Sequence, residues 1–337
     1  MVMHRARFVA AVGVALALAG NVSVATAAGC KLATVAEWPV RLEDNKLIVD
    51  GAINGQSARV MLDTGATRTL LFREAATRFN VIRSDTKRAR MFGAGGETKV
   101  ELASLDEFRV GEFARAPWKM TIAGESDFGA DVLLGADFLT LVDVEFDLEH
   151  NKVRLFQPQD CDGKKLAYWA TTAASINEVA IDDIQLSRPQ IVMDVKVNGQ
   201  RISAELDSGA SFTVIDKPAA ARVGVTPETP GVVVTGKATG LGGKTLPVWL
   251  GTFQSITIGS ETIKDAQIQF SELFRDANYS SIGHLIPTKV DGLQQLLIGV
   301  DFLRTHRVLV AHSQKRMYFT HNGGPVFGSS LAADAKN

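Results

Sequence analysis

The chain has 337 residues, 46% of them hydrophobic and 22% charged, which is enough apolar material for two domain-sized cores. Its formal net charge is -1, and no basic run with interleaved aromatics occurs, so nothing in it resembles a nucleic-acid footprint. Six scattered histidines and two cysteines give no metal-ligand spacing, and the expectation is that no metal or other cofactor is required.

Basic Arg5 and Arg7 precede an apolar stretch from Phe8 to Gly20 and then small residues ending Ala25-Thr26-Ala27-Ala28. This reads as a secretory signal peptide over residues 1–28, bacterial in appearance, with cleavage near Ala27 or Ala28 and export to the periplasm or the medium. No later segment is long and apolar enough to span a bilayer as a helix. Only Cys30 and Cys161 remain, and an oxidising compartment favours a disulfide between them. The rival is lipidation of Cys30, although Ala27-Ala28-Gly29-Cys30 lacks the larger apolar residue of a lipoprotein box.

From there short alternating runs rich in Val, Ile and Thr, such as Lys46 to Ile53, Ile191 to Val197 and Phe253 to Ile258, predict a mainly β protein with few short helices. An Asn54-Gly55-Gln56 turn leads through an apolar strand to Asp63-Thr64-Gly65-Ala66. A short helical stretch follows at Phe72 to Phe79, then a Gly-rich hairpin tip at Gly93-Ala94-Gly95-Gly96, then Leu133-Leu134-Gly135-Ala136-Asp137-Phe138-Leu139 and a strand pair around Glu149 to Lys152. A polar stretch over residues 161–185 breaks the pattern and reads as a linker. The whole order then repeats: Asn198-Gly199-Gln200, Asp207-Ser208-Gly209-Ala210 at a spacing of 144 from the first copy, Asp216 to Val223, Gly240-Leu241-Gly242-Gly243, and Leu297-Ile298-Gly299-Val300-Asp301-Phe302-Leu303. Such register is internal duplication. Residues 29–160 and 186–321 are the expected lobes, and 322–337 reads as a flexible tail.

The Asp-Thr/Ser-Gly-Ala loop, the short helix, the Gly-rich hairpin and the apolar-apolar-Gly segment with its short helix, each present twice, resemble the retropepsin-like branch of the pepsin superfamily of aspartic proteases over roughly residues 38 to 320. The resemblance implies an all-β fold of two pseudo-symmetric barrel-like lobes with the active-site cleft between them. It also implies one catalytic Asp per lobe, Asp63 and Asp207, and a ψ-shaped crossing behind each loop by Leu134-Gly135 and Ile298-Gly299. Thr64 and Ser208 would brace the loops against each other, while Gly65 and Gly209 would permit tight turns. Both Gly-rich hairpins would be flaps over a polypeptide substrate, and one chain would be active as a monomer. Pepsin has a single flap that bears a tyrosine. Here neither tip has one, the chain's tyrosines being Tyr168, Tyr279 and Tyr318.

Two facing carboxylates that share a proton supply both a base for water and an acid for the departing amine, and so imply endopeptidase chemistry. Ala66 and Ala210 stand where pepsin-like enzymes usually carry a hydroxyl, so the pair should titrate higher and work best at mildly acidic to near-neutral pH. The alternative is an inactive scaffold of the same fold that binds peptides or envelope components; a third reading is a structural envelope protein. Asp137 and Asp301 read as helix caps rather than catalytic groups. Ala238 to Thr245 matches a relaxed phosphate-loop pattern, but Pro247 and a strand follow it where that mechanism needs a helix.

Overall fold

The computed structural model describes residues 29–124, 128–172, 175–185, 188–274, 278–279, 288–289 and 293–327. The expected signal peptide and the end of the expected tail lie outside the described residues. Among the described residues no helix is long and apolar enough to cross a membrane.

The molecule is mainly β, built from a ten-stranded sheet in the first half, a seven-stranded sheet in the second and a six-stranded sheet shared by both. In each half the Asn-Gly turn holds two consecutive residues at positive φ, Asn54 (49°) and Gly55 (78°), Asn198 (49°) and Gly199 (79°). That conformation matches the twist of a tight hairpin and pairs the Asp strands Gln56–Leu62 and Gln200–Leu206 with Lys46–Ile53 and Ile191–Val197. The strand Val132–Leu134 runs parallel to the first Asp strand and antiparallel to Leu70–Phe72. Leu296–Ile298 does the same between Gln200–Leu206 and Val214–Asp216. Both ψ-shaped crossings are therefore present. The short helices fall where the sequence puts them, Arg73–Arg78 and Lys217–Arg222.

The shared sheet runs in the order Lys31–Pro39, Lys152–Gln159, Asp143–Asp147, His306–Ala311, Arg316–His321, Asn177–Ala180. Its centre joins the halves directly, with Val144 opposite Val310 and Phe146 opposite Val308. A buried ion-pair cluster backs this seam: Arg307 of the second half bonds Glu145 of the first, and Arg154 bonds Asp147. Asn177–Ala180 lies within the stretch read as a linker. It is a strand of this sheet, but four residues among polar neighbours are too few to show period-two alternation.

One apolar cluster runs through both lobes, with Leu62, Leu134, Leu206 and Ile298 fully buried. A smaller cluster of Phe156, Leu166, Leu309 and Tyr318 lies around Cys161, which is disulfide-bonded to Cys30. At the other end Val326 and Phe327 are buried against the main cluster. The tail expected from Asn322 thus begins with a packed segment, because two apolar side chains find the core.

Candidate active site

Leu62 and Leu206 anchor the ends of the Asp strands in the core, so the next residues emerge between the lobes. Asp63 N donates to Leu134 O (3.0 Å) and Asp207 N to Ile298 O (2.9 Å), which ties each loop to the strand crossing behind it. Within each loop the backbone turns back on its own carboxylate. Gly65 N and Ala66 N both donate to Asp63 Oδ1 (2.9 Å), and Gly209 N (2.9 Å) and Ala210 N (3.2 Å) donate to Asp207 Oδ1.

The two loops are locked together by their hydroxyls. Thr64 Oγ1 donates to Leu206 O (2.6 Å) and accepts from Ser208 N (2.9 Å), while Ser208 Oγ donates to Leu62 O (2.9 Å) and accepts from Thr64 N (3.0 Å). All four bonds are buried and cross from one half to the other. They hold the carboxyls of Asp63 and Asp207 within hydrogen-bonding reach of each other. The glycines are required by this approach: a Cβ on Gly65 would lie 2.5 Å from Asp207 Cγ, and one on Gly209 would overlap the Asp63 carboxyl.

Burial, then the charge of Asp207, push the Asp63 carboxyl well above the usual carboxylate range, against the opposing amides of Ala66 and Gly65. Burial raises Asp207 as well, opposed by the Gly209 amide and by its hydrogen bond with Asp63. Such a pair titrates as a unit and holds one proton between two carboxylates over a wide pH range.

Asp137 and Asp301 have a structural role, but capping is not what they chiefly do. The caps of their helices are Gly135 and Gly299, without a side-chain cap bond. Asp137 Oδ1 instead accepts from Thr69 N (2.8 Å) and Thr69 Oγ1 (2.7 Å), and Asp301 Oδ1 accepts from Thr213 N (2.9 Å) and Thr213 Oγ1 (2.6 Å). Each threonine hydroxyl in turn accepts from the following crossing glycine, Gly135 N (3.1 Å) or Gly299 N (3.0 Å). Burial pushes the Asp301 carboxyl up to about 6 despite the donors from Thr213 and Phe302. Thr69 and Thr213 were not among the residues singled out from the sequence, although they obey the same spacing of 144 as the aspartates.

The hairpin Ile82–Gly93 with Gly96–Leu105 and the hairpin Val233–Thr239 with Thr245–Ile258 bring their tips together. Gly242 N donates to Ala94 O (3.2 Å) and Lys244 N to Gly95 O (3.2 Å). Leu241 crosses over to pack on the first lobe, beside Gly93 and Gly124. Gly240 and Gly243 close the second tip through a bond from Gly243 N to Gly240 O (3.0 Å). Among the described residues no cluster of three or more His, Cys, Asp or Glu side chains could hold a metal ion.

A third acid went unremarked in the sequence. Glu205, two positions before Asp207, is buried, and burial, Asp207 and Asp63 together hold its carboxyl well above the usual range, with Arg188 opposing. An acid two residues before Asp207, where the first copy has Met61, was the available signal.

A family model described as "gag-polyprotein putative aspartyl protease" matches residues 49–140, and one described as "Aspartyl protease" matches residues 193–302. Each match contains one Asp loop, one Gly-rich hairpin and one apolar-apolar-Gly strand. No curated protein matches the chain. Among solved structures, the crystal structure of an aspartic proteinase from Irpex lacteus is similar at 14% identity over 85% of this chain and 97% of that one, with a TM-score of 0.48.

Proposed function

The chain belongs to the retropepsin-like aspartic proteases, with one domain of that kind in each half, and from this premise we propose that it is an endopeptidase acting on extended polypeptides through Asp63 and Asp207. The observation that carries the reading is the meeting of two carboxyls from different halves, Asp63 buried and Asp207 half-buried, each fixed by amides of its own loop. The ionised member takes a proton from a water lying between them while the protonated member hydrogen-bonds the scissile carbonyl oxygen. Water adds to the carbonyl carbon, and collapse of the tetrahedral adduct breaks the C–N bond as the amine receives a proton. The buried setting, with Ala66 and Ala210 offering no hydroxyl to the carboxylates, supports a mildly acidic to near-neutral optimum.

The paired tips support a two-flap cover that excludes water and presses an extended peptide toward the dyad. Because both half-sites and both flaps come from one polypeptide, a monomer is the proposed active form. The N-terminal signal-like segment and the Cys30–Cys161 bridge support work outside the cytoplasm, in the periplasm or the medium. A quenched peptide library incubated with the mature protein across pH 3 to 8 tests the proposal. Cleavage that disappears in both D63N and D207N is expected, and hydrolysis surviving in both variants refutes it.

A further inference from the structure

The two Asp strands correspond position by position, and two residues before the aspartate they differ in charge, Met61 standing against Glu205. In the second strand Ile202, Ala204 and Leu206 are buried in the core. Alternation therefore turns Ser203, Glu205 and Asp207 to the opposite face, the one that bears the dyad. In the first strand Val60 and Leu62 are core residues, and Met61, itself packed in the apolar cluster, shares by alternation the side of Asp63. Two residues before each aspartate, then, one strand carries a thioether and the other a carboxyl. Glu205 is only 4% exposed. Its cross-strand neighbours are Val192 and Leu297, neither of which can offer a countercharge. Asp207, Asp63 and Arg188 are the charged groups that act on it.

We propose that Glu205 is a specificity-determining residue, forming an acidic wall beside Asp207 that receives a Lys or Arg side chain of the peptide next to the scissile bond. The inference rests on the proteolytic reading above. Groups at i and i+2 on a strand stand roughly 7 Å apart, about two residues of extended peptide, so a side chain flanking the reacting carbonyl spans the gap. Its aliphatic stem lies along Val192 and Leu297 while its charged end meets the carboxyl. A cation there also adds to Arg188 in offsetting the repulsion among Glu205, Asp207 and Asp63, which an apolar side chain cannot do. On the other side Met61, paired with Ile48 and Leu133, suits an apolar residue. The bond cut would therefore lie between unlike neighbours.

The test compares peptides that differ only in Lys or norleucine at the positions flanking the cleaved bond, with wild type, E205Q and E205M, the last copying the first lobe. Taking the ratio of kcat/KM for the two peptides cancels the titration of the dyad, which is common to both. Wild type is expected to favour Lys by about tenfold or more, the preference growing as pH rises. E205Q should bring the ratio near unity and E205M should invert it. Calorimetric binding of reduced-amide versions of the same peptides reads the preference even if no bond is cut. Absence of cleavage with Lys-selective binding defeats the proteolytic reading alone. Equal treatment of the two peptides by wild type, or a ratio unchanged in both variants, overturns the role of Glu205. A pH profile displaced equally for both peptides does so too, since Glu205 would then only tune the dyad.

Discussion

Removing the Thr64 hydroxyl tests whether the two halves are held in register by the hydroxyl lock. Thr64 Oγ1 serves two buried backbone groups of the other half, Ser208 N at 2.9 Å and Leu206 O at 2.6 Å. T64V keeps the volume and orphans both. A buried polar group left unpaired costs about 1–3 kcal/mol, so the expected loss is about 2–6 kcal/mol, a large share of the ~5–15 kcal/mol by which folded domains are typically stable. T64S retains a hydroxyl and should lose far less. The mirror change S208A orphans Thr64 N and Leu62 O and should cost a similar amount. The double variant should lose less than the sum, because once the loops part the second hydroxyl no longer has fixed partners. Urea unfolding of the four proteins supplies the cycle, and peptide cleavage reports the displaced dyad. A loss below about 1 kcal/mol in T64V, or equal losses in T64S and T64V, would refute the reasoning.

The carboxyls of Asp63, Asp207 and Asp301 are all raised in the folded protein. The stability each contributes is complete below the ordinary carboxylate range and lost as pH rises through its folded value, for Asp301 at about 6. Unfolding free energy measured against pH should therefore fall across that window, and more gently in D63N and D207N; identical slopes in wild type and both variants would contradict the raised values. At the hairpin tips a Cβ on Gly242 would collide with the backbone of Gly95 and Gly96. G242A should part the tips and raise KM several-fold for long peptides with a smaller change in kcat. Steady-state kinetics check this, and an unchanged KM counts against the cover. Opening the Cys30–Cys161 bridge, whose partners are 131 residues apart, should cost up to about 4–5 kcal/mol in the chain-entropy treatment. A C30S/C161S variant that melts within a degree or two of wild type would show that the bridge does little for stability.

Duplication made much of the site readable. The Asp loops, the Asn-Gly turns, the crossing strands and both short helices follow from local rules that act over a few residues, and each rule appears twice. What escaped depends on contacts between distant segments. Asp137 and Asp301 carry a sequence that suits capping, and only the folded chain shows that Thr69 and Thr213 claim their carboxyls first. Asn177–Ala180 has little strand character of its own and is drawn into the shared sheet by the bare edge of Arg316–His321. Val326 and Phe327 look like apolar stragglers in a polar tail until the core they cover is known. Glu205 drew no notice in the sequence, because the face it occupies is defined by the alternation that ends in Asp207.

The seam between Asp143–Asp147 and His306–Ala311 bears on how freely the cleft can vary. A half of this molecule expressed alone would leave one of those strands uncovered along its length, and open edges recruit whatever strand is at hand. Because the two strands hold equivalent places, a lone half would find in a second copy of itself much of what the other half now supplies. Such a symmetric pair would repeat every substitution on both walls of its groove. Tethering removes that bond: the companion is always present at the effective concentration set by the connecting segment, and each wall can change without the other. Met61 in one Asp strand where the other has Glu205 is a difference that only the tethered form permits.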